Sequence, residues 1–303
     1  MVSMVSQSGM VIFLLIIARY EWETRTTMIL ITGATGNVGG ELARALVNAD
    51  HTVRALVRGT SQSVLPSGVE GVAGDLNRPE TLSAALDGVQ EVFLLSGYQD
   101  MQGVLAEMCR AGVERVVLLS SGCVVGGEMS NAVARYNILS EAAVRESGMP
   151  WTILRPSGFM SNALRWAPQI EVSDVVRAPW SGVRVAAIDP SDIAAVAAEM
   201  LTAAGHEGHS YRLTGPESLL PADEVRILAT VLGRDLRFEG QSDAEARAEM
   251  GQTMPAEYVD AFFRFFSGGE YDDSPVHPTV RALIGRHPHT FEQWALAHVE
   301  AFR

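Results

Sequence analysis

The chain has 303 residues, 47% of them hydrophobic, which is too many for a disordered chain and enough for one large α/β domain or a nucleotide-binding domain with a smaller second part. A net charge of −13 argues against a general nucleic-acid binder, which needs a basic face for phosphate backbones. Cys109 and Cys123 form no CxxC pair, so neither a disulfide framework nor a thiolate metal site is indicated, and a reducing, cytoplasmic location fits.

Residues 1–27 carry no assigned function. Their apolar run at 11–18 is far shorter than the roughly 20 residues that span a bilayer. No basic residue precedes that run and no convincing cleavage site follows it, so neither a membrane anchor nor a secretory leader is expected. An extension that packs as an extra strand is one outcome.

From Met28 the chain alternates short apolar runs with helical stretches, the pattern of a parallel sheet with crossover helices. Strands are predicted at 28–32, 52–57, 69–73, 91–95, 115–120 and 151–154, with helices at 38–48, 79–86, 101–111 and 132–146 between them. Residues 157–190, with Trp166, Pro168, Pro179 and Trp180, show no clear period and read as a substrate-covering segment. Helices return at 192–203, 222–232 and 256–266, with a short strand at 210–213. The fold class is therefore α/β: a Rossmann-type doubly wound parallel sheet with a smaller C-terminal substrate-binding part. Its expected divisions are the extension 1–27, an NADP-binding domain 28–156, and a cap region 157–303 interleaved with the same sheet.

Residues 29–42 read ILITGATGNVGGEL, placing Gly33, Gly36 and Gly39 as GxxGxxG between a strand and a helix. Glycine permits the tight turn, close approach of backbone to a pyrophosphate, and close helix–strand packing. The helix N-terminus then offers free N–H groups to the phosphates, with Thr35, Asn37 and Val38 completing the cradle. The second strand runs HTVRALVRG, with no acid to accept from a ribose 2′-OH and with Arg58 at its end. A guanidinium there suits the 2′-phosphate of NADP, so NADPH is the expected cofactor. Asp75 and Leu76, after the third strand, are placed near the adenine, although Asp75 serves equally well as a turn or cap residue.

The segments ITGATGNVGG, ALVRG, GDL, RVVLLSS and SEAAVRESGMPWTILRPSGFMSN, followed by DPSDIA at 189–194 and IGRHPHTFEQW at 284–294, resemble the NmrA-like atypical short-chain dehydrogenase/reductases. The likeness covers most of 28–303. It implies an NAD(P)-binding fold whose members include quinone reductases, tailoring reductases for aromatic polyketides, and redox-sensing regulators without catalysis. Ordinary short-chain reductases use YxxxK for proton transfer, and this chain contains no lysine. Tyr136 is followed four residues later by Ser140; in the alternative register, Val133 and Asn137 occupy the two places. Asn137 offers an amide to the nicotinamide ribose. Tyr136 is either an unaided proton donor or a packed helix residue.

The candidate site is framed by the strand ends Ser96, Gly97, Ser120, Ser121 and Pro156, where ligands sit in open α/β sheets. Phe159, Met160, Asn162 and Trp166 are expected to line a flat slot over the nicotinamide. Ser121 either orients a substrate carbonyl or caps the next turn. Hydride addition to a ketone leaves a basic alkoxide, whereas a quinone leaves a phenolate with a pKa of about 10 that takes its proton from water. A cradle without a strong acid therefore points to a small aromatic or quinone-like substrate, with the family permitting a role as the reductase half of a hydroxylating pair. The alternative is a non-catalytic NADP(H) sensor; a flavin enzyme has no sequence feature of its own.

The phenylalanine-rich helix at 256–266 reads as a core or dimer face before a lid, leaving a homodimer open. No histidine spacing suggests a metal, and no membrane contact is indicated. Asp189 and Asp192 read as helix caps, and Cys123 as a small buried thiol.

Overall fold

The computed structural model describes residues 27–59 and 65–303; the extra strand considered for residues 1–27 lies, except for Thr27, outside them. Seven parallel strands form the main sheet: β1 (Met28–Thr32), β2 (Thr52–Val57), β3 (Val69–Ala73), β4 (Glu91–Leu95), β5 (Arg115–Leu119), β6 (Trp151–Pro156) and β8 (His209–Leu213). Their order is β3-β2-β1-β4-β5-β6-β8. The chain thus winds outward from β1 in one direction and then from β4 in the other, and the reversal opens a crevice at the strands' C-terminal ends.

The inner strands are continuous apolar runs because both faces are covered. One face carries α1 (Asn37–Asn48) and the later helix Pro190–Thr202, whose Leu42, Leu46, Ile193 and Met200 are fully buried. Met101–Ala111 and Ala132–Glu146 cover the other face through Val104, Met108 and Val144. The predicted helix at 79–86 divides into a 3-10 turn, Pro79–Thr81, and a single helical turn, Ser83–Leu86. The Thr81 hydroxyl accepts from the Asp75 N–H at 2.9 Å, which ties this turn to the end of β3.

The segment without periodicity is not structureless. It holds a 3-10 stretch, Met160–Trp166, a short helix, Ala167–Val172, and β7 (Val175–Ala178). β7 pairs in parallel with β9 (Arg237–Gly240) in a separate two-stranded sheet. At four residues each, neither strand is long enough to show an alternation in sequence. Helices Pro221–Leu232, Asp243–Met250, Ala256–Phe266, Thr279–Ile284 and Phe291–Ala297 complete the C-terminal part. Its own core is built from Trp166, Ile170, Val225, Leu228, Phe291, Trp294 and Phe302.

The two acids of DPSDIA have separate tasks. Asp189 is the helix cap, accepting from the Ser191 N–H at 2.8 Å. Asp192, fully buried, accepts from the His289 N–H at 2.6 Å and pairs with Arg286 at 2.6 Å. It fastens the C-terminal segment to the sheet instead of capping. Asp189, Asp192 and His289 come together as a group able to hold a cation, but Arg286 already supplies the positive charge.

Candidate active site

The glycine turn lies between β1 and α1 at the reversal point. Gly33 has φ +70°, which L residues with side chains rarely adopt. A Cβ on Gly39 would fall 2.3 Å from the Gly33 carbonyl oxygen, so only glycine lets the helix start this close to the turn. Thr35, Gly36 and Asn37 are exposed, and α1 begins with no side-chain cap and no acid in its first turn. This cradle fits a dinucleotide: its first N–H groups remain for phosphate oxygens, and nothing negative opposes them. Val38 is buried, which leaves only its backbone available at this turn.

Arg58 is exposed at the end of β2 and makes no ion pair or hydrogen bond among the described residues. It and Asp75 both act on the hydroxyl of Tyr98, a third residue at this corner that the sequence reading passed over; burial pushes that hydroxyl up. Asp75 accepts from the Asn77 N–H at 2.9 Å and forms a turn, while the Leu76 side chain is in the core.

Beyond the strand ends opens a cavity of about 930 Å³. Ser96, Gly97, Ser120, Ser121, Tyr136, Asn137, Pro156, Phe159, Met160, Asn162 and Trp166 all line it, so the structure gathers the predicted nicotinamide-side and substrate-side residues around one space. Several of their polar groups are already engaged. Ser120 donates to Glu141 at 2.7 Å; burial would raise that carboxyl, but hydrogen bonds from Arg155 and Ser120 hold it below the usual carboxylate range. Ser121 caps the following turn by accepting from the Cys123 N–H, which leaves its own proton to donate. Asn137 accepts from Ser96 at 2.7 Å and donates to the Val133 carbonyl at 3.0 Å, and its side chain also acts on the Tyr136 hydroxyl.

In the register of Tyr136 the lysine position falls on Ser140, and in the register of Val133 it falls on Asn137. The Ser140 hydroxyl accepts from the Gly97 N–H at 3.0 Å and donates to the Tyr136 carbonyl at 2.7 Å, which fixes the helix to the strand end. Gly97 has φ +97°, and a Cβ there would meet the Tyr136 ring at 3.1 Å. Burial pushes the Tyr136 hydroxyl up, outweighing its interaction with the Asn137 side chain.

Sequence reasoning missed a second polar wall. Arg212 on β8 donates to the Tyr271 hydroxyl and to Asp273, each at 2.5 Å, and Asp273 accepts from the Gly158 N–H at 2.8 Å. Burial and the neighbouring Asp273 drive the Tyr271 hydroxyl far up, and burial also raises the Asp273 carboxyl. Gly122 makes room for this network, because a Cβ there would overlap the Arg212 guanidinium. No local pattern marks residues brought together from β8 and 271–273.

The helix Ala256–Phe266 combines two of the expected outcomes. Phe263 and Phe265 are buried, while Phe262, Phe265, Phe266 and Tyr258 line the cavity. Trp180 closes over them, its ring centroid 4.8 Å from Phe266 and 5.2 Å from Phe263. It holds φ +58°, a strained conformation for a bulky residue that these contacts keep in place.

Comparison with known proteins bears on this site. A family model described as NAD(P)H-binding matches residues 33–204. The chain is 41% identical to a (4-alkanoyl-5-oxo-2,5-dihydrofuran-3-yl)methyl phosphate reductase of Streptomyces griseus, over 91% of this chain and 99% of that one. It is 35% identical to an NAD(P)H azoreductase of Xenophilus azovorans, over 91% and 99%. The NADPH complex of a quinone oxidoreductase from Escherichia coli superposes with a TM-score of 0.74 at 25% identity, covering 90% of this chain and all of that one, 100%. Among the described residues, no helix is long and apolar enough to cross a membrane.

Proposed function

The chain belongs to the NAD(P)H-binding family, among the NmrA-like atypical short-chain dehydrogenase/reductases, and is an NAD(P)H-dependent oxidoreductase; from that premise we propose that it uses NADPH to reduce a quinone or aromatic polyketide-like acceptor. One observation carries the choice of acceptor: the cavity is roofed by aromatic rings, and burial pushes both the Tyr136 and the Tyr271 hydroxyls up, so neither is primed to give a proton.

Bound NADPH supplies a hydride. The protein's residues hold and orient. Arg58 takes the 2′-phosphate, and the α1 N-terminus takes the pyrophosphate. Ser121 and Asn137 line the cavity as hydrogen-bonding groups for an acceptor oxygen. Phe159, half-buried at the cavity wall, offers a flat face to the ring. A reduced quinone leaves as a phenolate whose pKa of about 10 lets water protonate it, so the missing tyrosine–lysine pair is no handicap. The names of the relatives, an azoreductase and a reductase of an alkanoyl-oxo-dihydrofuranyl methyl phosphate, describe conjugated acceptors, the second with a phosphate ester, and support this chemistry. Reduction makes such a ring more reactive towards oxygen, so the protein fits the reductase half of a hydroxylating pair acting in the cytoplasm.

The test is NADPH oxidation by the purified protein against a panel of quinones and anthraquinones, with simple ketones and NADH as controls. Turnover on quinones in preference to ketones is expected. Tight NADPH binding with no turnover on any acceptor would replace this reading with that of a cofactor-binding sensor.

A further inference from the structure

Arg165 lies in the 3-10 stretch Met160–Trp166 and is the one arginine among the residues lining the cavity. Other arginines near the site have carboxylate partners: Arg155 holds Glu141 at 2.6 Å, and Arg212 holds Asp273 at 2.5 Å. Arg165 has none among the described residues; its guanidinium lies over the Trp166 ring, 5.8 Å from the centroid. Arg165 is an exposed residue that lines the cavity, and the protein around its guanidinium lowers its pKa by desolvation. A guanidinium at the cavity edge with its five N–H donors unpaired by protein acceptors is open to an anion.

The acid closest in influence is Glu224, in the first turn of Pro221–Leu232, which also lines the cavity. Its carboxylate makes no ion pair with Arg165. Burial pushes the Glu224 carboxyl up to about 7, against Arg165 and together with Asp223. Asp223 is itself 3.6 Å from both Arg184 and Arg226. Below pH 7, then, Glu224 is neutral and leaves the Arg165 charge uncompensated; above pH 7 it is an anion that competes with any other.

We propose that Arg165 anchors an oxyanion carried by the acceptor, a phosphate monoester or a carboxylate, at the end of the cavity lined by Trp166 and Glu224. The inference rests on the reductase reading above and narrows its substrate class to acceptors with an anionic arm. Arg58 at β2 and the glycine turn serve the cofactor's own phosphates, so Arg165 remains for the acceptor.

Two readouts test it on the full chain loaded with NADPH. The first is binding of phenyl phosphate and of benzoate, followed by tryptophan fluorescence. Wild type should bind at least one of them about tenfold more tightly than Arg165→Gln, with Arg165→Lys intermediate. Phenyl phosphate favoured over benzoate identifies a phosphate arm, and the reverse a carboxylate arm. The second is turnover of a naphthoquinone carboxylate against its carboxamide: Arg165→Gln should lower the ratio of their kcat/KM values about tenfold, mostly through KM. Between pH 6 and pH 8 the wild-type preference for the carboxylate should fall, and in Glu224→Gln it should stay level. Equal anion binding by wild type and Arg165→Gln overturns the anchor, whether or not a quinone turns over. Anion binding that depends on Arg165 without any quinone turnover keeps the anchor and overturns the reductase reading alone.

Discussion

The cofactor half and the cavity wall are built on different principles. At the turn between β1 and α1 the backbone itself forms the site: glycines at 33 and 39 stand where a Cβ would strike Leu95 or the Gly33 carbonyl, and the first residues of α1 have no side-chain cap. Beyond residue 157 side chains form the site, contributed by the 3-10 stretch after β6, by Trp180, and by the helix Ala256–Phe266. A dinucleotide demands one backbone shape, so that half is regular. An acceptor demands only a shaped wall, so the other half is assembled from short elements.

This division of labour can be broken by experiment. Gly39→Ala should have the largest effect, weakening NADPH binding by about a hundredfold, because relieving a 2.3 Å approach to backbone costs about 3 kcal/mol. Calorimetric titration with NADPH checks it. Arg58→Ala should weaken NADPH by about thirtyfold and leave NADH nearly unchanged, the expected loss of a charge-assisted contact to the 2′-phosphate; an equal loss for both cofactors would remove that role. Trp180→Ala should raise KM for a bulky quinone by about tenfold while NADPH affinity holds, since the wall and not the cradle is opened. If it weakens NADPH as Gly39→Ala does, the two regions are not separate.

The smallest effect concerns stability. The Glu224 carboxyl titrates at about 7 in the folded chain, against 4.5 for the ordinary group. A raised carboxylate pKa means that the folded state binds the proton more tightly, so stability falls as pH rises from about 4.5 to about 7. Glu224→Gln removes that loss and should be about 1 kcal/mol more stable than wild type at pH 8, with little gain at pH 4.5, by thermal unfolding.

The same contrast decides what was legible in the sequence. Met28–Thr32 and Ala132–Glu146 could be read to the residue because apolar runs and helical periods extend over whole elements. GxxGxxG was legible because a steric requirement on backbone can be met only by glycine. β7 and β9, four residues each and 62 residues apart at Val175 and Arg237, leave no such trace. Nor do Arg165, Tyr271 and Asp273, whose surroundings come only from folding: no ion pair for the first, and Arg212 beside the other two. The absence of lysine was legible, but the bond from the Gly97 N–H to Ser140 was not.

Cys123 has a consequence of its own. It is the one thiol among the residues lining the cavity, and burial pushes that thiol up, so near neutral pH it is not a thiolate. The chain also has no lysine and hence no side-chain amine. Quinones are electrophiles as well as oxidants, and they become attached to thiolates and amines by conjugate addition. A wall that presents neither can hold such a molecule through repeated turnovers without being arylated by it.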